Sequence, residues 1–284
     1  MRFPARRMAV FHGEQFHVSS AWVERLAAVG ILAGANWSEQ SGGEVMSASA
    51  LGQVRRISLN DEVRIYFKAE RYPLSRRFKF WLRPARTTVE VFAYAKLFEL
   101  GIPTLTTIAW GERRVFGLPT ETLVVTLAVH NSADLRAFAS ETWRNMCASE
   151  RKVILRSTYT ALADQLRCAH ARGFVHHDLK WRNVLMRETE NGYEPVWIDP
   201  PRAAIWRLRR RRGAVVDLSD LARPAVFLIS RYHRMRFLLR YLGRHRQPGA
   251  ATALWRDIDA RVSRRRSREQ DVRLSAEDDP ELTA

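Results

Sequence analysis

The sequence predicts an α+β protein in two lobes, a small sheet-rich one followed by a larger helical one. Three observations carry that expectation. Strand signals concentrate between residues 54 and 129, helical periods dominate from residue 150 onward, and one hairpin signal interrupts the helices near residues 184–199. The 284 residues suffice for two lobes sharing a cleft, and 46% hydrophobic with 27% charged residues is ordinary globular composition.

The elements follow in chain order. Ala21–Ala33 has the pattern of a short helix, followed by a soft Ser-Glu-Gln-Ser-Gly-Gly stretch. VRRISLNDEVRIYFK, from Val54 to Lys68, has the form of two strands joined at Asn60-Asp61. Arg64, Tyr66 and Lys68 share one face, and Ile65 and Phe67 take the other. From about Thr87 to Leu100 the period becomes helical, with Val89, Ala93, Leu97 and Leu100 on one stripe, stopped by Gly101 and Pro103. ETLVVTLAV (121–129) is a continuous apolar strand, and Ser132 or Asp134 is placed to cap a short helix after it.

A longer helix runs from about Glu150 to Arg172 and ends at Gly173. Its stripe is Leu155, Thr158, Leu162, Leu166 and Ala169. A strand VLM and a strand PVWI flank Asn191-Gly192, a hairpin signal, although the loop has the look of one longer than two residues. Leu228, Tyr232, Met235, Leu239 and Leu242 then form a further helical stripe closed by Gly243, with Arg231, Arg234 and Arg240 off it.

Charge is the unusual feature. The net charge is +17, and the 47 basic residues comprise 42 Arg and 5 Lys. Residues 202–268 carry 19 Arg against 4 acids, and residues 269–284 carry an excess of acids. A basic C-terminal part fits an anionic partner: a membrane surface, a phosphorylated glycolipid or a nucleic acid. It also fits a solvated face in an Arg-preferring sequence. No helix-turn-helix, RNP-type or zinc motif is present, so no nucleic acid is expected. No apolar run approaches the ~20 residues of a membrane span, and the start lacks the apolar core of a secretory signal. Two cysteines, Cys147 and Cys168, make no disulfide framework, which leads us to expect a reducing, cytoplasmic compartment.

The chemistry concentrates in His176-His177-Asp178-Leu179-Lys180-Trp181-Arg182-Asn183, with Asp199 after the hairpin. This spacing brings three oxygen-bearing side chains to one cleft. Asp178 is suited to accept a hydroxyl proton. Asn183 and Asp199 are suited to magnesium, a hard ion that takes oxygen ligands together with substrate phosphates. The pattern resembles the catalytic loop of protein kinases, His-x-Asp-Leu-Lys-x-x-Asn, with a metal aspartate on the following strand. Lys68, at the end of IYFK, and Glu90, 22 residues later on a helix, fall in the same order as the kinase lysine and its ion-pair partner.

The resemblance narrows. In place of Asp-Phe-Gly the chain has Val-Trp-Ile-Asp199-Pro-Pro-Arg202-Ala, and it has no Ala-Pro-Glu segment end. IYFKAERYP, a helix ending LGIPT, HHDLKWRNVLM and WIDPPRA together resemble the bacterial lipopolysaccharide core kinase family over roughly residues 50–225. The nearest candidate for the nucleotide-covering loop is Met46–Gln53, with one glycine where kinases often have three.

That resemblance implies a bilobal protein-kinase-like fold and ATP-dependent, magnesium-dependent phosphorylation of a heptose or Kdo sugar of the inner core. It implies that Lys68 binds the α/β-phosphates with Glu90 holding its ammonium. Asp178 would be the base, Lys180 would neutralise the transferring phosphoryl group, and Asn183 and Asp199 would hold magnesium. His176 is expected to be structural, and Asp217 to brace the loop from the next helix. The expected organisation is an N-terminal extension (1–45), an N-lobe (46–130), a C-lobe (131–268) and a disordered acidic tail (269–284). The expected acceptor is a glycolipid at the cytoplasmic face of the inner membrane, reached by peripheral docking through the Arg-rich 202–268 region, Arg207 and Arg209 to Arg212 above all. The catalytic loop alone equally allows a kinase acting on a protein or a small molecule, or an inactive kinase-like binding protein.

Overall fold

Alternation along residues 64–71 separates Ile65, Phe67 and Ala69 from Tyr66, Lys68 and Glu70. In the computed structural model the first set enters the core of a sheet, and the second lines a cleft. The structure describes residues 1–190, 192–243 and 247–277.

The N-terminal part is built on six antiparallel strands: β1 (Gly13–Val18), β2 (Glu44–Ser49), β3 (Gly52–Ser58), β4 (Arg64–Arg71), β5 (Thr107–Val115) and β6 (Leu118–Leu127). Their spatial order is β1-β5-β6-β4-β3-β2. Ile57, Ile65, Phe67, Ile108, Leu123 and Val125 form its core with Leu26, Ile31 and Trp37. The segment expected as an N-terminal extension is therefore built into this lobe, with β1 as an edge strand and α1 (Val23–Ala28) covering the core. The helix expected over Ala21–Ala33 is shorter, because Gly30 turns into the left-handed region at φ +76°.

Between β4 and β5 lie α2 (Leu74–Arg77) and α3 (Arg86–Glu99). The α3 stripe Val89, Ala93 and Leu97 joins the core of the C-terminal part, so this helix is shared between the lobes. The LGIPT segment after it ties down the connection. Trp197 N–H donates to the Pro103 carbonyl at 2.9 Å, and the Thr104 hydroxyl donates to the Trp197 carbonyl at 2.8 Å.

The C-terminal part contains β7 (Ser132–Asp134), α4 (Leu135–Ser140), α5 (Thr142–Asn145), α6 (Ala148–Ala171), β8 (Phe174–Val175), β9 (Val184–Thr189), β10 (Gly192–Trp197), β11 (Ala204–Ile205), α7 (Arg210–Leu228), α8 (Arg231–Leu242) and α9 (Ala250–Glu277). Asp134 caps α4, accepting from the N–H groups of Arg136 and Ala137. Gly101, Gly173 and Gly243 follow α3, α6 and α8 with positive φ, as helix-stopping glycines do. Gly192 pairs with Thr189, so the β9–β10 connection is shorter than expected, and Asn191 itself lies outside the described residues.

Two further expectations change. The single stripe from Leu228 to Leu242 is split, because Ile229 is extended and Ser230 caps a new helix. The face is thereby rotated. Leu228 and Tyr232 are exposed, and Leu238 packs inward with Phe237 and Tyr241. At the C-terminus α9 runs through Glu277, carrying helix into the segment for which disorder is expected, since no Gly or Pro interrupts residues 250–277. The rest of that tail lies outside the described residues. Among the described residues no helix is long and apolar enough to cross a membrane.

Candidate active site

The β2–β3 hairpin, the cleft-facing side of β4 and β6, α3 and the β9–β10 hairpin enclose a cavity of about 790 Å³. That is room for a nucleotide-sized ligand. The covering turn contains Gly52, which pairs with Glu70 of β4. A Cβ at Gly52 would stand 1.9 Å from the Ala69 carbonyl oxygen, so only glycine lets the hairpin lie this close to β4.

Lys68 projects from β4 into the cavity, with Nζ 2.7 Å from Glu90 Oε2 and 2.8 Å from Asp199 Oδ1. Burial works against its charge, but Glu90, Asp199 and Glu70 outweigh it and hold the ammonium well above its ordinary range. Burial raises the Asp199 carboxyl, and Lys68 more than reverses this, leaving it below the usual carboxylate range. Glu90 is fully enclosed, and burial pushes its carboxyl up against the opposing pull of Lys68. Asp199 adopts φ +52°, an αL backbone that turns the chain out of the β10 hairpin.

The catalytic-loop segment forms a second cluster. Lys180 Nζ is 2.6 Å from Asp178 Oδ1. Asn183 Nδ2 donates to the Asp178 carbonyl at 2.7 Å and approaches Asp178 Oδ2 at 3.2 Å. With its amide hydrogens directed at Asp178, Asn183 keeps its amide oxygen available as an acceptor. That oxygen and the Asp199 carboxylate are hard oxygen donors of the kind magnesium takes. Among the described residues no group of three His, Cys, Asp or Glu side chains is placed to hold a metal unaided.

Beneath the loop, Asp217 of α7 accepts the backbone N–H groups of His176 and His177, both at 2.8 Å, and lies 3.3 Å from His170 Nε2. Burial raises the Asp217 carboxyl, yet these donors bring it below its ordinary value. His176 is buried and neutral in its contacts. Its Nδ1 accepts the Asp178 N–H at 3.3 Å, which leaves Nε2–H to donate to the Ile198 carbonyl at 3.1 Å. Burial holds its pKa below the usual histidine range. Trp181 adds a bond from its indole N–H to the Leu221 carbonyl.

The structure thus brings Lys68, Glu90 and Asp199 into one contact network and Asp178, Lys180 and Asn183 into another, with Asn183 and Asp199 lining the same cavity. Tyr94 escaped the sequence reading. Its hydroxyl donates to Glu90 Oε1 at 2.8 Å and accepts the Asp199 N–H at 3.1 Å, linking α3 to the hairpin. The signal was present, since Tyr94 is four residues after Glu90 on one helix face.

A sheet-rich lobe over a helical one, with a lysine–glutamate pair and an Asp/Asn/Asp set in the cleft between them, is the arrangement of a phosphotransferase with a kinase-like fold. The profile of the lipopolysaccharide kinase (Kdo/WaaP) family matches residues 41–241. The chain belongs to that family, whose members are phosphotransferases acting on sugar hydroxyl groups. A search of solved structures found "WaaP in complex with acyl carrier protein", with a TM-score of 0.63 and 19% identity, covering 88% of this chain and 98% of that one. Such a likeness supports the fold. A search of curated proteins found no match.

Proposed function

We propose that the protein transfers the γ-phosphoryl group of ATP to a hydroxyl of a heptose or Kdo sugar in the lipopolysaccharide inner core, at the cytoplasmic face of the inner membrane. The observation that carries the reading is the convergence of Lys68, Glu90, Asn183 and Asp199 on one cavity, with Asp178 and Lys180 joined to Asn183 at its edge.

In this reading Lys68 binds the α/β-phosphates, positioned by Glu90, which Tyr94 orients in turn. Asp178 orients the sugar hydroxyl and takes its proton as the new O–P bond forms and the bond to the ADP oxygen breaks. Lys180, held on Asp178, is placed to turn its charge toward the transferring group. Asn183 and Asp199 would hold magnesium, which would supply neutralisation of phosphate charge. Phosphoryl transfer needs positioning and electrostatic stabilisation more than covalent help, so these side chains suffice chemically.

Recruitment in this reading uses the basic C-terminal part. Arg207, Arg209, Arg210, Arg211 and Arg212 are all exposed around the start of α7, and Arg211 is also paired with Asp257. Each basic residue near an anionic surface contributes about 1 kcal/mol. By likeness to the solved complex, acyl carrier protein is a further partner to test.

The test is transfer from γ-labelled ATP with magnesium into a whole-cell extract, then separated into lipopolysaccharide, protein, nucleic acid and small molecules. We expect label in the lipopolysaccharide core, absent with Asp199→Ala. Label in protein or small molecules would overturn the acceptor.

A further inference from the structure

The segment between β4 and α3, PLSRRFKFWLRPAR (73–86), contains five basic residues and no acid. Leu74, Phe78, Trp81 and Leu82 face out of the molecule, while Phe80 and Ala85 pack inward. Leu74 and Phe78 are each 71% exposed, Trp81 55% and Leu82 52%, beside Phe116 at 65% and Phe11 at 51% in the neighbouring loops. Phe11 and Phe116 touch edge to face, and the Trp81 indole N–H donates to the Phe116 carbonyl. Trp81 and Leu82 stand beside Gly117 and Phe116, and Leu74 and Phe78 are exposed just before them on the same segment. Arg76, Lys79 and Arg83 are exposed among these residues, with no ion pair to another described residue. Exposed apolar patches of this kind mark interaction sites.

The patch is held in place by design of the loops. Leu82 and Phe116 adopt φ +53° and +48°, which bulky residues rarely tolerate. The fully buried Arg114, paired with buried Glu112, fixes them. Its guanidinium donates to the carbonyls of Phe80, Gly117 and Arg83 at 3.1, 2.5 and 2.6 Å. Backbone strain held in place by a buried ion pair, at turns that present apolar groups to water, is the kind of feature that clusters at functional sites. Directly behind it, Phe80, Tyr72 and Ala85 pack on Leu51 at the tip of the nucleotide-covering hairpin.

We propose that residues 74–83, with Phe116, form a membrane-insertion site that seats the N-lobe in the interface of an anionic bilayer. The patch is distinct from the Arg-rich start of α7. Aromatic and aliphatic side chains interleaved with unpaired cations match both parts of such an interface, the acyl boundary and the anionic headgroups. Projecting side chains rather than a groove favour a bilayer over a peptide or protein. The inference rests on the reading that the acceptor is membrane-anchored. It adds that docking brings the nucleotide-covering turn, through Leu51, up to the membrane surface.

The experiment uses the full chain, with vesicles of phosphatidylglycerol and phosphatidylethanolamine free of glycolipid. Co-sedimentation is compared at low salt and at about 0.5 M salt, where headgroup electrostatics are screened. We expect Leu74→Ser/Phe78→Ser/Trp81→Ser to lower vesicle affinity by at least about ten-fold, and Trp81→Phe to stay within about two-fold of the wild type. Wild-type binding should persist in part at the higher salt. Transfer to soluble, delipidated core oligosaccharide should be unchanged in the triple variant, which also shows that it folds. Equal vesicle binding by triple variant and wild type would overturn the site, as would complete loss of wild-type binding in salt. Loss of affinity for acyl carrier protein with vesicle binding intact would reassign the patch to a protein partner. Absence of transfer by the wild type would sink the kinase reading, and the vesicle comparison would still decide the membrane site.

Discussion

The ammonium of Lys68 stands 2.8 Å from Oδ1 of Asp199, a residue 131 positions further along the chain. The same nitrogen lies 2.7 Å from Glu90, so one cation joins β4, α3 and the end of the β9–β10 hairpin. Removing it leaves the buried Glu90 without its cation. Lys68→Met is expected to cost about 3–5 kcal/mol of stability, the usual penalty for breaking a buried pair, and to abolish ATP-dependent turnover. Urea melts and steady-state rates check both. A variant that melts like the wild type would show that the pair does not hold the cleft.

Gly52 sets how close the β2–β3 turn lies to β4 above the cavity, the turn proposed to cover the nucleotide. Gly52→Ala forces the hairpin away from the Ala69 carbonyl, an overpacking strain of roughly 1–3 kcal/mol. The KM for ATP should rise by about ten-fold, with the KM for acceptor little changed. Steady-state kinetics with each substrate varied in turn reads this directly.

The support under the catalytic loop titrates. Burial depresses the folded-state pKa of His176 and His177, so the unfolded chain binds more protons below the ordinary histidine value. Stability is therefore present above about pH 6.5 and is lost as pH falls from there toward the folded values. Asp217 has a depressed carboxyl, and its contribution is lost at lower pH, below about 3.9, as pH falls through its folded value. His176→Gln should flatten the first limb of a plot of stability against pH. Asp217→Asn should flatten the second and cost roughly 2–3 kcal/mol at neutral pH through its unsatisfied backbone donors. Urea melts across the pH range measure both slopes.

The Arg-rich start of α7 predicts salt-sensitive recruitment. Replacing Arg207, Arg209, Arg210, Arg211 and Arg212 by Ser should weaken binding to anionic vesicles, by an amount that shrinks as salt rises. Co-sedimentation unchanged by the replacement would remove this region from the docking surface.

Much of the fold and site was legible because local signals and chemistry coincide. The Asn60-Asp61 turn fixed the register of β3 and β4, and helix-stopping glycines marked α3 and α6. Residues 176–183 stood out through their resemblance to the kinase pattern His-x-Asp-Leu-Lys-x-x-Asn, and the structure gathers Asp178, Lys180 and Asn183 into one cluster. The partnering of β1 with β5 was not legible, because pairing between strands roughly 90 to 100 residues apart leaves no local trace. The break at Ile229-Ser230 was hidden by an apolar period that continues across it. Arg114 was also invisible. An arginine inside a strand of mixed charge gives no sign that it is wholly buried and fixes three carbonyls.

In the proposed reaction Asp178, held between Lys180 and Asn183, takes the proton of a sugar hydroxyl as phosphate is transferred. The most direct measurement is the rate of transfer from γ-labelled ATP to inner-core oligosaccharide by Asp178→Ala, with nucleotide binding measured on the same variant. Turnover should fall by about 10²–10⁴ with ATP affinity largely retained. Near-normal turnover in that variant would rule out Asp178 as the base.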